Sequence, residues 1–139
     1  EGKKDTVSLK DEVNYLKNYI DLNVSRYHKN IDLQFNDHIE NDCKQIAPLL
    51  FIILLENAFK HGVEILTDNA FVYINFSQSE DEIYFEIKNN FDESMANENP
   101  GIGLENLKNR LNLLYKNNHH LEISKDKNVY CTSLKINLA

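Results

Sequence analysis

Apolar positions along this chain switch between two periodicities, and the switches set the order of elements. Leu9, Val13, Leu16, Ile20 and Val24 recur at helical spacing, with Tyr15 and Tyr19 beside the stripe. Ser8 followed by Asp11 makes a capping-box-like start, and the helix is predicted to end near Tyr27. Ile31, Leu33 and Phe35 then alternate with Asp32, Gln34 and Asn36, the pattern of a half-buried strand. Pro48 is predicted to open a second helix at the first helical position, where its missing N–H is harmless. Every residue from Leu49 to Leu55 is apolar, so that helix should be surrounded by protein. Gly62 is expected to end it in the left-handed conformation.

Two strands follow, near 70–77 and 82–89, joined by the polar turn 78–81 as an antiparallel hairpin. The polar stretch from Asn90 to Pro100 has no periodicity and reads as a flexible loop. Gly101-Ile102-Gly103 leads into a third helix with a buried stripe of Leu104, Leu107, Leu111 and Leu114. Leu121 with Ile123, and Leu134, Ile136 and Leu138, give two closing strands around the turn at 126–128. The order is helix, strand, helix, hairpin, helix, hairpin. It predicts an α+β two-layer sandwich, a mixed but mostly antiparallel sheet with helices on one face. A single domain over 1–139 is expected, with 1–27 a leading helix packed on it or feeding into it.

Composition narrows the chemistry. The chain has a net charge of -7, so it is a poor general binder of DNA or RNA, which need Lys and Arg to neutralise phosphates. An anionic small ligand would need locally placed donors and a divalent cation. Cys43 and Cys131 are far apart and lack metal-ligand spacing, which argues against a disulfide framework and a zinc site and fits a reducing cytoplasm. No apolar run approaches the ~18 residues of a membrane-spanning helix. The start, Glu1-Gly2-Lys3-Lys4-Asp5, is too polar for a signal peptide.

Three segments can carry chemistry. In Glu56-Asn57-Ala58-Phe59-Lys60-His61-Gly62, residues Asn57, Lys60 and His61 are spaced to share a helix face. Asn57 can offer a carbonyl oxygen to a hard cation, and Lys60 and His61 can donate to phosphate oxygens. The segment also fits a helix whose last turn simply reaches water, with Glu56 and Lys60 an exposed ion pair. Taken alone, these residues favour that plainer reading. In Gly101-Ile102-Gly103-Leu104-Glu105-Asn106, glycines precede a helix and let backbone N–H groups approach a phosphate, although such pairs are more often turns. It is neither a Walker A loop nor a dinucleotide fingerprint. Asn89-Asn90 ends a strand, where a side-chain carbonyl can accept from an adenine amino group or where asparagines simply form a turn. No nucleophile motif and no HExxH occurs. His119-His120 reads as a solvated turn, and His28 and His38 have no evident partner.

The order and spacing of these segments resemble the nucleotide-binding fold shared by histidine kinases, DNA gyrase and MutL, the GHKL superfamily (Bergerat fold). Within it the chain is similar to LytS/YehU-type sensor histidine kinases. The likeness runs through Val7 to Glu12, Tyr19-Ile20, Arg26-Tyr27, Pro48, Glu56 to Gly62, Gly101 to Asn106 and Arg110-Leu111. It implies ATP and Mg2+ as cofactors, with ATP between helices and under the 90–103 loop. Asn57 resembles the N-box asparagine that ligates Mg2+, and Glu56 the acidic residue that acts on the attacking group. Lys60 and His61 match positions near the phosphates. Gly101 and Gly103, with Leu104, match the ATP lid. Asn106 and Arg110 match recurring positions, and Arg110 fits a structural salt bridge equally well. Asn89 stands where the superfamily usually keeps an aspartate against adenine, in an Asp-x-Gly-x-Gly setting. Here the sequence is Asn89-Asn90-Phe91-Asp92-Glu93, so the acceptor is neutral and the loop hinge must differ.

The implied reaction is transfer of the γ-phosphoryl group to a histidine on a preceding dimerisation segment not seen in this sequence. The implied partners are that segment and a LytTR-type response regulator, with no direct nucleic acid. The implied setting is the cytoplasmic domain of a membrane-anchored bacterial protein, reaching the membrane only through N-terminal regions. Two alternatives are a GHKL ATPase in which Glu56 activates water, and a degenerate interaction module that no longer binds ATP.

Overall fold

A computed structural model describes residues 5–27, 29–95 and 102–138. His28 and Gly101 lie outside the described residues, as does most of the loop expected before α3. In chain order the elements are β1 (Val7–Ser8), α1 (Leu9–Val24), β2 (Ile31–Ile39), β3 (Gln45–Ile46) and α2 (Phe51–Ala58). A π-helical turn (Phe59–Val63), β4 (Ala70–Ser79), β5 (Glu82–Asn90) and a 3-10 turn (Glu93–Met95) follow. α3 (Ile102–Leu114), β6 (His119–Asp126) and β7 (Val129–Asn137) complete the chain.

Five strands form one sheet in the order β2-β4-β5-β7-β6. β2 pairs with β4 in parallel, and the other three pairings are antiparallel. β1 and β3 form a separate two-stranded ladder. Period-2 alternation puts Val72, Ile74 and Phe76 of β4, Ile83, Phe85 and Ile87 of β5, and Leu134 and Ile136 of β7 on one buried face. The helices cover that face. Phe51 of α2 meets Phe76 and Phe85 at ring-centroid distances of 4.9 and 5.0 Å, which pins α2 to the middle of the sheet. Leu9, Leu16 and Ile20 of α1 and Leu104, Leu107 and Leu111 of α3 join the same core. Ser8 caps α1 as its position predicts, its hydroxyl accepting from the Asp11 N–H at 3.1 Å.

The structure differs from the sequence reading at several points. α2 starts at Phe51, not at Pro48, and Leu49 adopts φ 62 and is 45% exposed. The 48–50 segment is held open by partners on other helices: Arg110 donates to the carbonyls of Pro48 and Leu49, and the Glu12 carboxylate accepts from the Leu49 N–H. Gly62 is not a left-handed terminator. It lies inside the π-helical turn, and the chain continues in right-handed geometry through Glu64. Leu114 is 36% exposed rather than part of the buried stripe. His119 and His120 are not a turn; they open β6.

Candidate functional site

The site begins where α2 ends. Phe51 to Ala58 is short and almost wholly apolar, so packing against the sheet, not capping, holds it. Beyond Ala58 the helix widens, and the Glu64 N–H reaches back to the Phe59 carbonyl at 2.8 Å. The Lys29 ammonium donates to the carbonyls of Val63 and Leu66 and so occupies orphan acceptors at the end of this turn. The widening changes which residues face which way. Asn57 and His61 are half-buried, whereas Glu56 and Lys60 are exposed. Glu56 and Lys60 form no ion pair among the described residues.

Gly62 sets the depth of the turn. A Cβ there would lie 2.6 Å from the Asn90 carbonyl oxygen and 2.7 Å from the Asn89 side-chain nitrogen. Only glycine lets the turn press so closely on the end of β5. Asn89 is 2% exposed, and its amide nitrogen donates to the Asn90 carbonyl at 3.0 Å. That orientation leaves the accepting role to the side-chain oxygen, the polarity an adenine amino group needs.

The strands supply residues that motif reading missed. Asn89 of β5 is paired with Tyr130 of β7, and Tyr130 with Lys125 of β6, so the three share one row across the sheet. Phe91 packs edge-on against Tyr130 at 6.1 Å, and the Lys125 ammonium lies 5.7 Å from the centre of the same ring. Burial pushes the Tyr130 phenol up, while hydrogen bonds from Asn57 and Thr132 pull it the other way, as donors to a phenol oxygen do. The alternation Tyr130, Thr132, Leu134, Ile136 was a usable signal for the inward face of β7, and Leu121, Ile123, Lys125 for that of β6. Which rows meet depends on register, which the local sequence does not state.

Burial, and then the charge of the exposed Glu56, push the Tyr19 phenol up to about 12. His61 is lowered, chiefly by burial and then by the charges of Lys60 and Lys125, with Glu64 opposing. At neutral pH the imidazole is therefore uncharged, and the local positive charge comes from the two lysines.

Other sequence-derived residues sit apart from this cluster. Leu104 is a core residue at 4% exposure. Gly103 faces α2, where a Cβ would only touch Ile53 at 3.7 Å. Asn106 is exposed. Arg110 clamps the 48–50 segment at the opposite end of α2 and lines an apolar hollow of about 350 Å³ with Leu113, Leu114 and Tyr115. Gly101 cannot be assigned to either group, since it lies outside the described residues.

The donor set suits a metal-bound nucleotide. Among the described residues no group of three or more His, Cys, Asp or Glu side chains can hold a cation. A cation here would draw on the Asn57 oxygen and on oxygens of the ligand itself, which is how Mg2+ binds nucleotide phosphates. Gly62 and the buried Asn89 amide lie in direct approach at the end of β5.

No protein-family model matches the sequence, and no curated protein does. Solved structures do match. The fold is that of histidine kinase catalytic domains. The catalytic domain of the histidine kinase ThkA matches at a TM-score of 0.62 and 12% identity, over 98% of this chain and 96% of that one. The Acinetobacter baumannii histidine kinase AdeS matches at 0.66 and 12%, over 98% of this chain and 68% of that one. ThkA in complex with the response regulator protein TrrA matches at 0.62 and 15%, over 97% of this chain and 42% of that one. At such identities the likeness is one of fold. Among the described residues no helix is long and apolar enough to cross a membrane.

Proposed function

We propose that this chain is the ATP-binding catalytic domain of a sensor histidine kinase of the LytS type. One observation carries the reading: Gly62, which closes the Glu56 to Gly62 segment, presses against the Asn89 side chain and the Asn90 carbonyl at the end of β5. Asn57 holds Mg2+ through its side-chain oxygen. Lys60, neutral His61 and Gly101 with Gly103 address the phosphates, and Asn89 accepts from the adenine amino group. Glu56 acts on the attacking imidazole, and Asn106 and Arg110 act through the lid helix and its support. Bound ATP supplies the phosphoryl group; the chain supplies position and charge neutralisation. The acceptor is a histidine on a dimerisation segment outside these 139 residues, and a response regulator, of the LytTR type, receives the group next.

The test is calorimetric titration of ATP with and without Mg2+. The parent chain should bind more tightly with Mg2+, and Asn57→Ala should lose that tightening while keeping its far-ultraviolet spectrum. An unchanged magnesium dependence refutes the role of Asn57. Failure of the parent to bind Mg-ATP at millimolar concentration refutes the reading as a whole and favours an interaction module.

A further inference from the structure

A side-chain amide can face a ligand with either end, and the two ends have opposite hydrogen-bonding sense. The oxygen accepts from the amino group of a 6-amino purine, whereas the nitrogen donates to the carbonyl of a 6-oxo purine. The end that Asn89 turns inward is set by its surroundings. Its nitrogen lies 3.0 Å from the Asn90 carbonyl oxygen, and a flipped amide would set two oxygens against each other there. That carbonyl is held in turn. It belongs to the Asn90–Phe91 peptide group, whose N–H donates to the Asn128 carbonyl at 2.9 Å. In a planar trans peptide the carbonyl then points the opposite way, toward Asn89. The Asn90 side chain fixes the same residue from the β4 side, continuing the β4–β5 ladder past its last pair, Val72 with Asn89. Its oxygen accepts from the Phe71 N–H at 2.8 Å, and its nitrogen donates to the Asn69 carbonyl, also at 2.8 Å. Gly62 lies over the bond between Asn89 and Asn90 so closely that a Cβ would clash with both of its ends. Asn89 is 2% exposed, so little water competes for that bond.

We propose that Asn90 is a positioning residue. Its side chain, bonded at both ends to the backbone that enters β4, fixes the carbonyl that holds Asn89 by the nitrogen. Asn89 then only accepts, and the base site takes a 6-amino purine and refuses a 6-oxo purine. The inference rests on the functional reading above and adds to it the residue that sets the sense of the base contact. It asks more of Asn90 than packing does. Loss of a merely structural support weakens both kinds of purine nucleotide alike, whereas loss of this lock lets the amide turn and costs only the 6-amino base.

Two measurements test this. The first needs no nucleotide. In the ligand-free chain, nuclear magnetic resonance should show the side-chain amide hydrogens of Asn89 exchanging with solvent more slowly than those of exposed Asn112, and Asn90→Ala should speed them. Free exchange in the parent, or no change in the variant, overturns the proposal whatever the chain binds. The second is a pair of calorimetric titrations in Mg2+, with ATP and with inosine triphosphate, which carries an oxygen where ATP carries the 6-amino group. The parent should bind ATP at least about tenfold more tightly, because the wrong base leaves a buried acceptor unpaired. Asn90→Ala should weaken ATP about fivefold and leave inosine triphosphate within about twofold. If that variant loses its far-ultraviolet spectrum, Asn90→Asp replaces it, since it keeps an acceptor for the Phe71 N–H and loses only the bond to Asn69; the same split is expected. Equal affinity of the parent for the two nucleotides overturns the proposal and leaves the nucleotide reading standing. An equal loss of both in the variant means that Asn90 acts through the fold alone and overturns it too. If the parent binds neither nucleotide, the nucleotide reading falls and the base selection with it.

Discussion

Gly62 illustrates what one residue's sequence context can and cannot convey. Its place after a run of helical residues made a helix terminator the natural expectation. The structure uses it for a different property, the missing Cβ, because the Asn90 carbonyl and the Asn89 amide approach from β5. Those neighbours lie almost thirty residues downstream in sequence, so no local pattern announces them. The expected outcome for Gly62→Ala is a loss of about 2 kcal/mol in chemical denaturation, from forced displacement of the turn or of β5. ATP affinity should fall with it. Asn89 presents a second conflict between local and tertiary demands. Asn89→Asp would strengthen an acceptor toward adenine, and should widen the ratio of ATP to GTP affinity about fivefold in paired titrations. It would also remove the donor to the Asn90 carbonyl at a position 2% exposed, so the variant should be less stable by about 2 kcal/mol.

At the scale of elements, local signals fared well wherever an element's geometry is decided within itself. The Ser8 cap, the stripe of α1 and both late hairpins follow from capping, periodicity and turn residues. The start of α2 does not, because the 48–50 segment answers to Glu12 on α1 and Arg110 on α3. That clamp has a pH signature. Burial raises the Glu12 carboxyl above its ordinary 4.5, with the Leu49 bond and the Arg110 charge opposing and Asp11 reinforcing. The folded protein then holds this proton more tightly than the unfolded chain does. Its contribution to stability is complete below the unfolded value and is lost as pH rises through the folded one. Glu12→Gln should remove that slope. Relative to the parent, its unfolding free energy should improve as pH rises from about 4 to 7, measured by denaturant titration at each pH. The π-helical turn depends on a neighbour in the same way. Lys29→Met leaves two carbonyls without their charged donor and should cost about 2 kcal/mol. Because the turn carries Lys60 and His61, ATP affinity should weaken as well, whereas a substitution of exposed Lys10 should change neither.

For the molecule as a whole, the five strands of the main sheet and the layer order could be read from alternation, but the short β1–β3 ladder and the parallel union of β2 with β4 could not. Short turns join β4 to β5 and β6 to β7 and reveal those two pairings, whereas the antiparallel union of β5 with β7 spans α3 and β6. Each residue of β2 instead meets a partner 39 positions further along the chain. That long reach has a consequence in time. Closing so large a loop is entropically slow, so the contiguous β4-β5 hairpin should form first and β2 dock late. In stopped-flow experiments Phe85→Leu should mainly slow refolding, and Leu33→Ala should mainly speed unfolding. During synthesis the order is reversed against need: the apolar stripe of α1 and the inward face of β2 leave the ribosome before the strand that will receive them exists. A nascent chain halted before β4 should therefore be protease-sensitive and bound by holding chaperones, and the full chain should not.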